Sequence, residues 1–181
     1  MRTVVSLFVA TVLLLSLGAC GKPADNRAEA PSETENSLSS DSPAVGVIEP
    51  SSLISKEEAE RILGVSLDTA RTSEQERVGL KQCLYESENH FFQISLTQQA
   101  MMPAEQRQTP ESLYRAIVEN FEDAVKVENV GGEAYFATPG LHILEDGYYI
   151  LIAIGNLDDE GNREKLTEAG RLAVANLASA K

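Results

Sequence analysis

The segment EAYFATPGLHILEDGYYILIAI, residues 133–154, decides how the chain is read. Its Asp146-Gly147 pair lies between two apolar runs, 141–145 and 148–154. A dipeptide of this kind between such runs is a strong short-range signal for a two-residue β-hairpin turn. Residues 133–137 predict a further strand, preceded by the turn Gly131-Gly132 and closed by Thr138-Pro139-Gly140. Upstream, residues 82–86 and 91–98 predict a second pair joined across Ser87-Glu88-Asn89-His90. In the later of these, Phe92, Ile94 and Leu96 alternate with Gln93, Ser95 and Thr97, the period of a half-buried strand.

Three helices fit around these strands. Ser55-Lys56-Glu57-Glu58 has the spacing of a capping box, and a short helix should follow with Ala59, Ile62 and Leu63 inward and Gly64 as its left-handed end. The polar stretch 66–77 is expected to be a loop. Thr109-Pro110 pairs an N-cap with a proline at the first helical position. The helix it starts should present Leu113, Ile117, Phe121 and Ala124, with Tyr114, Val118 and Val125 beside them. A last helix over about 163–179 presents Leu166, Ala169, Ala173 and Leu177, small enough in part to approach a sheet closely. Strands and helices do not alternate, so the expected class is α+β: an antiparallel sheet of about five strands, backed on one face by two longer helices and one short one.

Charge narrows the partners. The chain of 181 residues has 15 Lys plus Arg against 28 Asp plus Glu, a formal net charge of -13. Phosphate recognition needs clustered cations, so no nucleic acid is expected, and adsorption to anionic lipid headgroups is disfavoured for the same reason.

The first twenty residues carry a different signal. Met1-Arg2-Thr3 is a short positive start, and an apolar run follows through Leu17. The run is shorter than the ~20 residues a bilayer crossing needs and ends in small residues, as secretory signals do. Leu17-Gly18-Ala19-Cys20 resembles the lipobox of bacterial lipoproteins. That resemblance implies cleavage before Cys20 and a lipid on its sulfur, so that the chain's membrane partner is reached through covalent acyl chains. Two or three chains hold firmly where one does not. Gly21, in a position where Asp usually means retention in the inner membrane, points to the outer membrane of a two-membraned host. An ordinary secretory signal with an incidental cysteine, or an uncleaved anchor, are the competing readings.

The implied organisation is a signal peptide over 1–19, a lipidated cysteine and disordered tether over 20–51, and a globular domain over 52–181. The stretch 21–50 has six acidic and two basic residues and few large apolar ones, too few to offset the entropy of ordering it. As a flexible chain of ~30 residues it would span roughly 30 Å. The pattern Ser55-Lys56-Glu57-Glu58-Ala59, Leu63-Gly64, Cys83-x-Tyr85 and Gly131-Gly132-Glu133-Ala134-Tyr135-Phe136, with a terminal Leu/Ala helix, is similar to small extracytoplasmic domains of unknown function in bacterial lipoproteins and kinase sensor regions. That family carries no established catalytic residues.

Within the domain, Cys83 is the thiol left once Cys20 is acylated. Reactivity there needs a cationic neighbour, for which Lys81 is the local candidate; a buried, inert cysteine is the commoner case. His90 and His142 are 52 positions apart and share no metal-ligand spacing with each other or with Cys83, so no metal is expected. Residues 156–161, Asn-Leu-Asp-Asp-Glu-Gly, open like a calcium loop, but Thr167 stands where a bidentate Glu belongs. Gly131-Gly132 lacks the helix and Lys-Ser/Thr pair of a phosphate loop, and no Gly-x-Ser-x-Gly elbow occurs. No cofactor is expected. The functional reading is a non-catalytic binding or accessory module, recognising an envelope protein or small ligand. An enzyme or redox sensor using Cys83, or a structural envelope component, are the alternatives.

Overall fold

The computed structural model describes residues 46–105 and 108–181. They form a mixed helix and sheet fold with seven antiparallel strands: β1 (Thr69–Gln75), β2 (Leu80–Glu86), β3 (Phe91–Thr97), β4 (Val125–Lys126), β5 (Glu133–Ala137), β6 (Gly140–Glu145) and β7 (Tyr148–Ala153). Four α-helices accompany them: α1 (Pro50–Leu53), α2 (Lys56–Leu63), α3 (Pro110–Val118) and α4 (Glu160–Ala180). The strand order is β1-β2-β3-β7-β6-β5-β4. It is two meanders whose last-formed strands, β3 and β7, pair at the centre, with Ile94 opposite Ile152 and Leu96 opposite Ile150.

Local signals account for most of these elements. Asp146 (φ 49°) and Gly147 (φ 80°) both take positive φ, as the tight β6–β7 turn requires. The capping box of α2 is formed: the Glu58 amide donates to Ser55 Oγ at 3.3 Å, and the Ser55 amide donates to Glu58 Oε2 at 2.8 Å. Gly64 closes the helix at φ 77°.

Four expectations require correction. The loop read over 66–77 contains β1, whose seven residues are all exposed. With both faces wet there is no apolar alternation to read, and the strand is held by its ladder to β2. The helix after Thr109 stops at Val118, where the Asn120 side chain donates to the Ala116 carbonyl. Val125 and Lys126 instead pair with Phe136 and Tyr135 as β4. The tether read over 20–51 overlaps ordered chain: Ile48 is buried, and its N–H and C=O are both taken, at 2.8 Å each, by the side-chain amide of buried Gln98.

The fourth correction concerns the layers. Residues paired across adjacent strands share a face, so Cys83, Ile94, Ile152 and Leu141 point one way. Ile143 and Ile150 join them, and Leu166, Ala169, Gly170, Ala173 and Leu177 of α4 pack on that side. A Cβ at Gly170 would stand 2.7 Å from Leu141 and 2.8 Å from Val130, so the helix lies as close as a bare backbone permits. His142 and Tyr149 alternate with these residues and point to the opposite face. There Tyr114 of α3 meets Tyr149 edge-on, with ring centroids 5.6 Å apart. The helices therefore cover both faces, and the buried anchor of α3 is Tyr114 rather than the half-buried Leu113, Ile117 and Phe121.

Candidate functional site

Two large hydrophobic side chains are conspicuously exposed among the described residues, Phe91 (37%) and Val125 (45%). They come from β3 and β4, which are not neighbours in the sheet, and both line one cleft of about 520 Å3. Phe136, the Thr138-Pro139 turn between β5 and β6, and the Gly155–Asp158 segment between β7 and α4 complete its walls. Arg163, in the first turn of α4, closes one side, while Asp123 and Asp158 add carboxylates.

The cleft is held in shape by hydrogen bonds within the β7–α4 connection. The Asp158 amide donates to Asn156 Oδ1 at 3.0 Å, and the Asn162 amide donates to Asp159 Oδ1 at 3.2 Å, capping α4. Asn162 Nδ2 returns to the Asn156 carbonyl at 2.9 Å. Arg163 Nε donates to the Leu157 carbonyl at 2.6 Å, and the guanidinium lies 5.6 Å from the centre of the Phe136 ring. Side-chain oxygens of 156 and 159 are thus engaged by backbone N–H groups and shape the entry to α4. Along the outer side of α4 a second, more open depression of about 610 Å3 runs past Glu164, Thr167 and Arg171. Its lining residues are polar or charged, and it shares Asp158 and Arg163 with the cleft.

The residues singled out from sequence fall elsewhere. Cys20 and the lipobox residues Leu17, Gly18 and Ala19 lie outside the described residues. Cys83 is 2% exposed on the α4 side of the sheet, and burial pushes its thiol up, away from thiolate formation. Lys81 shares its face but is committed to Glu49, with Glu74 at 3.7 Å, and those carboxylates hold the ammonium above its ordinary value. The Tyr85 side chain favours the thiolate by hydrogen bonding, but burial outweighs it and the Glu49 charge opposes it further.

His142 projects from the other face, so Cys83 and His142 are separated by the sheet and make no catalytic pair. Its Nδ1 accepts from the Tyr149 hydroxyl at 2.7 Å, and its Nε2–H donates to the Ala137 carbonyl at 3.1 Å. Burial holds it neutral, below the ordinary imidazole value. His90 is exposed in the β2–β3 turn. Among the described residues no three His, Cys, Asp or Glu side chains are grouped to hold a metal. Nearby, the Tyr114 hydroxyl is buried without a hydrogen-bond partner among the described residues. Gly131, at φ 60°, shapes the turn before β5.

Comparison with known proteins matches no family model, no curated protein and no solved structure. The cleft residues are not legible from spacing, because they come from elements and connections spread along the chain between Phe91 and Arg163. One signal was present. Phe91 occupies the polar phase of a strand whose apolar phase is Phe92, Ile94 and Leu96, so its ring is left partly at the surface.

Proposed function

We propose that this chain is a lipid-anchored cell-envelope protein whose folded domain binds a protein or small ligand without transforming it. The anchoring part rests on Leu17-Gly18-Ala19-Cys20 at the end of an apolar run. With Gly21 following, the outer membrane is the destination in a two-membraned host. The observation that carries the binding part is the cleft, which gathers Phe91 and Val125 beside a fixed arginine. Apolar concavities with a few placed polar groups are the usual form of a ligand site. A reading based on Cys83 chemistry is disfavoured by the thiol's burial and by the pairing of Lys81 with Glu49.

Two experiments test the proposal. Membrane fractionation of Cys20→Ala against the parent should move the protein from membrane to soluble fractions, and unchanged partitioning refutes lipid anchoring. In-cell crosslinking of the intact lipoprotein through a photoreactive residue at Val125 should capture a discrete species. Retention of that species after Phe91→Asp would show that the cleft is not the binding surface.

A further inference from the structure

We infer that β1 is the surface through which two copies of this chain associate. The two strands pair antiparallel about a two-fold axis at Thr72 and join the two sheets into one. The inference does not depend on the cleft.

The two edges of the sheet differ. β4, at one end of the strand order, has two residues, one of them Lys126; short strands and lysines are ordinary ways of blunting an edge. β1, at the other end, runs for seven residues in unbroken register with β2, from Thr69 opposite Glu86 to Gln75 opposite Leu80. It contains no proline and no lysine. All seven residues are exposed, and β2 is its one strand neighbour among the described residues. Its outer row of N–H and C=O groups is open to another strand.

The residues of this strand complement their own copy. Paired residues share a face, so in a symmetric antiparallel pair even positions meet even ones and odd meet odd. Ala70, Thr72 and Glu74 lie on the Cys83 face, Arg71 and Ser73 on the other. An axis at Thr72 matches the whole strand: Thr72 meets its own copy, Ala70 meets Glu74, Arg71 meets Ser73 and Thr69 meets Gln75. No like charges stand directly opposite, and Thr–Thr is a favourable cross-strand pair. An axis at Arg71 would oppose two guanidinium groups, and one at Ser73 would leave Thr69 and Ala70 unmatched. The strand's own charges are balanced, since Arg71 pairs with Glu86 and Glu74 lies 3.7 Å from the Lys81 ammonium. A foreign extended peptide would draw its specificity from side-chain pockets, whereas both faces of β1 are wet. Pairing adds about six to eight main-chain hydrogen bonds but little apolar area, and Asp68 and Glu76 of the two copies approach at its ends. The association is therefore weak beside a standard dimer. Copies anchored in one membrane, as proposed above, gain an effective concentration that offsets this.

The test has two readouts. A photoreactive residue in place of Thr72 in the intact chain in cells should give a product of twice the chain's mass. A product of another mass would put a different protein on β1, and a crosslink within one chain would put this chain's own preceding segment there. Either result, or no product, overturns the inference. The second readout is sedimentation of the intact protein in detergent micelles at rising concentration, where the parent should show reversible exchange between monomer and dimer. Ser73→Lys sets a cation opposite Arg71 twice, once for each copy, and should weaken dimerisation about fivefold or more. Ser73→Glu sets a carboxylate there and should tighten it several-fold. General repulsion between two chains of net charge -13 acts with the opposite sign, since the lysine reduces that charge and the glutamate increases it. Position 73 is exposed, so both variants spare the fold. Dimerisation that moves in the reverse order, ignores both changes or is missing from the parent overturns the inference.

Discussion

The two faces of the sheet are built by different rules. Beneath α4, Ile94, Leu141, Ile143, Ile150 and Ile152 are fully buried and offer no side-chain polar atoms. The polar group that does enter that side, the Tyr85 hydroxyl, donates to the Ile54 carbonyl at 2.8 Å. Beneath and beside α3, the buried set includes Tyr114, His142, Tyr149, Ser95 and Thr97 together with Ala137 and Ala153. The first face is held by area and shape, where loss scales with volume removed. On the second, a buried donor or acceptor stabilises or costs according to whether it has a partner, so single atoms decide.

That contrast sets the order of effects expected from substitution. Leu141→Ala removes side-chain volume from directly under Gly170, where the neighbouring backbone has little room to close in. It should cost about 3 kcal/mol by urea denaturation. A loss below about 1 kcal/mol would mean that the α4 layer relaxes freely, against the close approach at Gly170. Tyr149→Phe changes almost no volume but leaves His142 Nδ1 buried without its donor. It should cost about 1–2 kcal/mol. Tyr114→Phe, a chemically identical change one ring away, should be neutral or stabilising by up to about 1 kcal/mol, because its hydroxyl has no partner among the described residues to lose. Equal effects from the two tyrosines would erase the distinction drawn for this face.

The same contrast explains what sequence could and could not disclose. Strands with one dry face are legible, as Phe92, Ile94 and Leu96 show, because burial imposes a period of two. β1 has no dry face, so Thr69–Gln75 offers no period and its strand conformation depends on a partner distant in sequence. The end of α3 is hidden in the sequence for a related reason. Phe121, Ala124 and Val125 continue a helical spacing, but the pairing of Val125 with Phe136 is a tertiary fact. Ile48 belongs with the folded domain through the side chain of Gln98, fifty residues away, and nothing local announces it. In the cleft, Phe91, Val125, Thr138 and Arg163 each come from a different element, and no linear spacing encodes their meeting.

The smallest effect, and the most specific to the α3 face, is a response to pH at His142. Burial lowers its protonation in the folded state below the ordinary value of 6.5, and the unfolded chain titrates near that value. Well above 6.5 the imidazole is neutral in both states and contributes no pH dependence. As pH falls through 6.5 the unfolded chain takes up a proton that the folded chain refuses, so stability declines until the folded-state value is reached. The slope in that window is bounded at about 1.4 kcal/mol per pH unit for one group. Protonation of carboxylates acts on the whole molecule, as does relief of repulsion in a chain of net charge -13. The informative quantity is therefore the difference between the parent and His142→Gln, whose amide can accept from Tyr149 and donate to Ala137. Urea midpoints measured across roughly pH 7.5 to 5.5 should fall more steeply with acidification for the parent. Exposed His90 is common to both chains and cancels. Parallel curves would mean that His142 admits a proton while folded, and the α3 face would then tolerate charge where its hydrogen bonding requires a neutral ring.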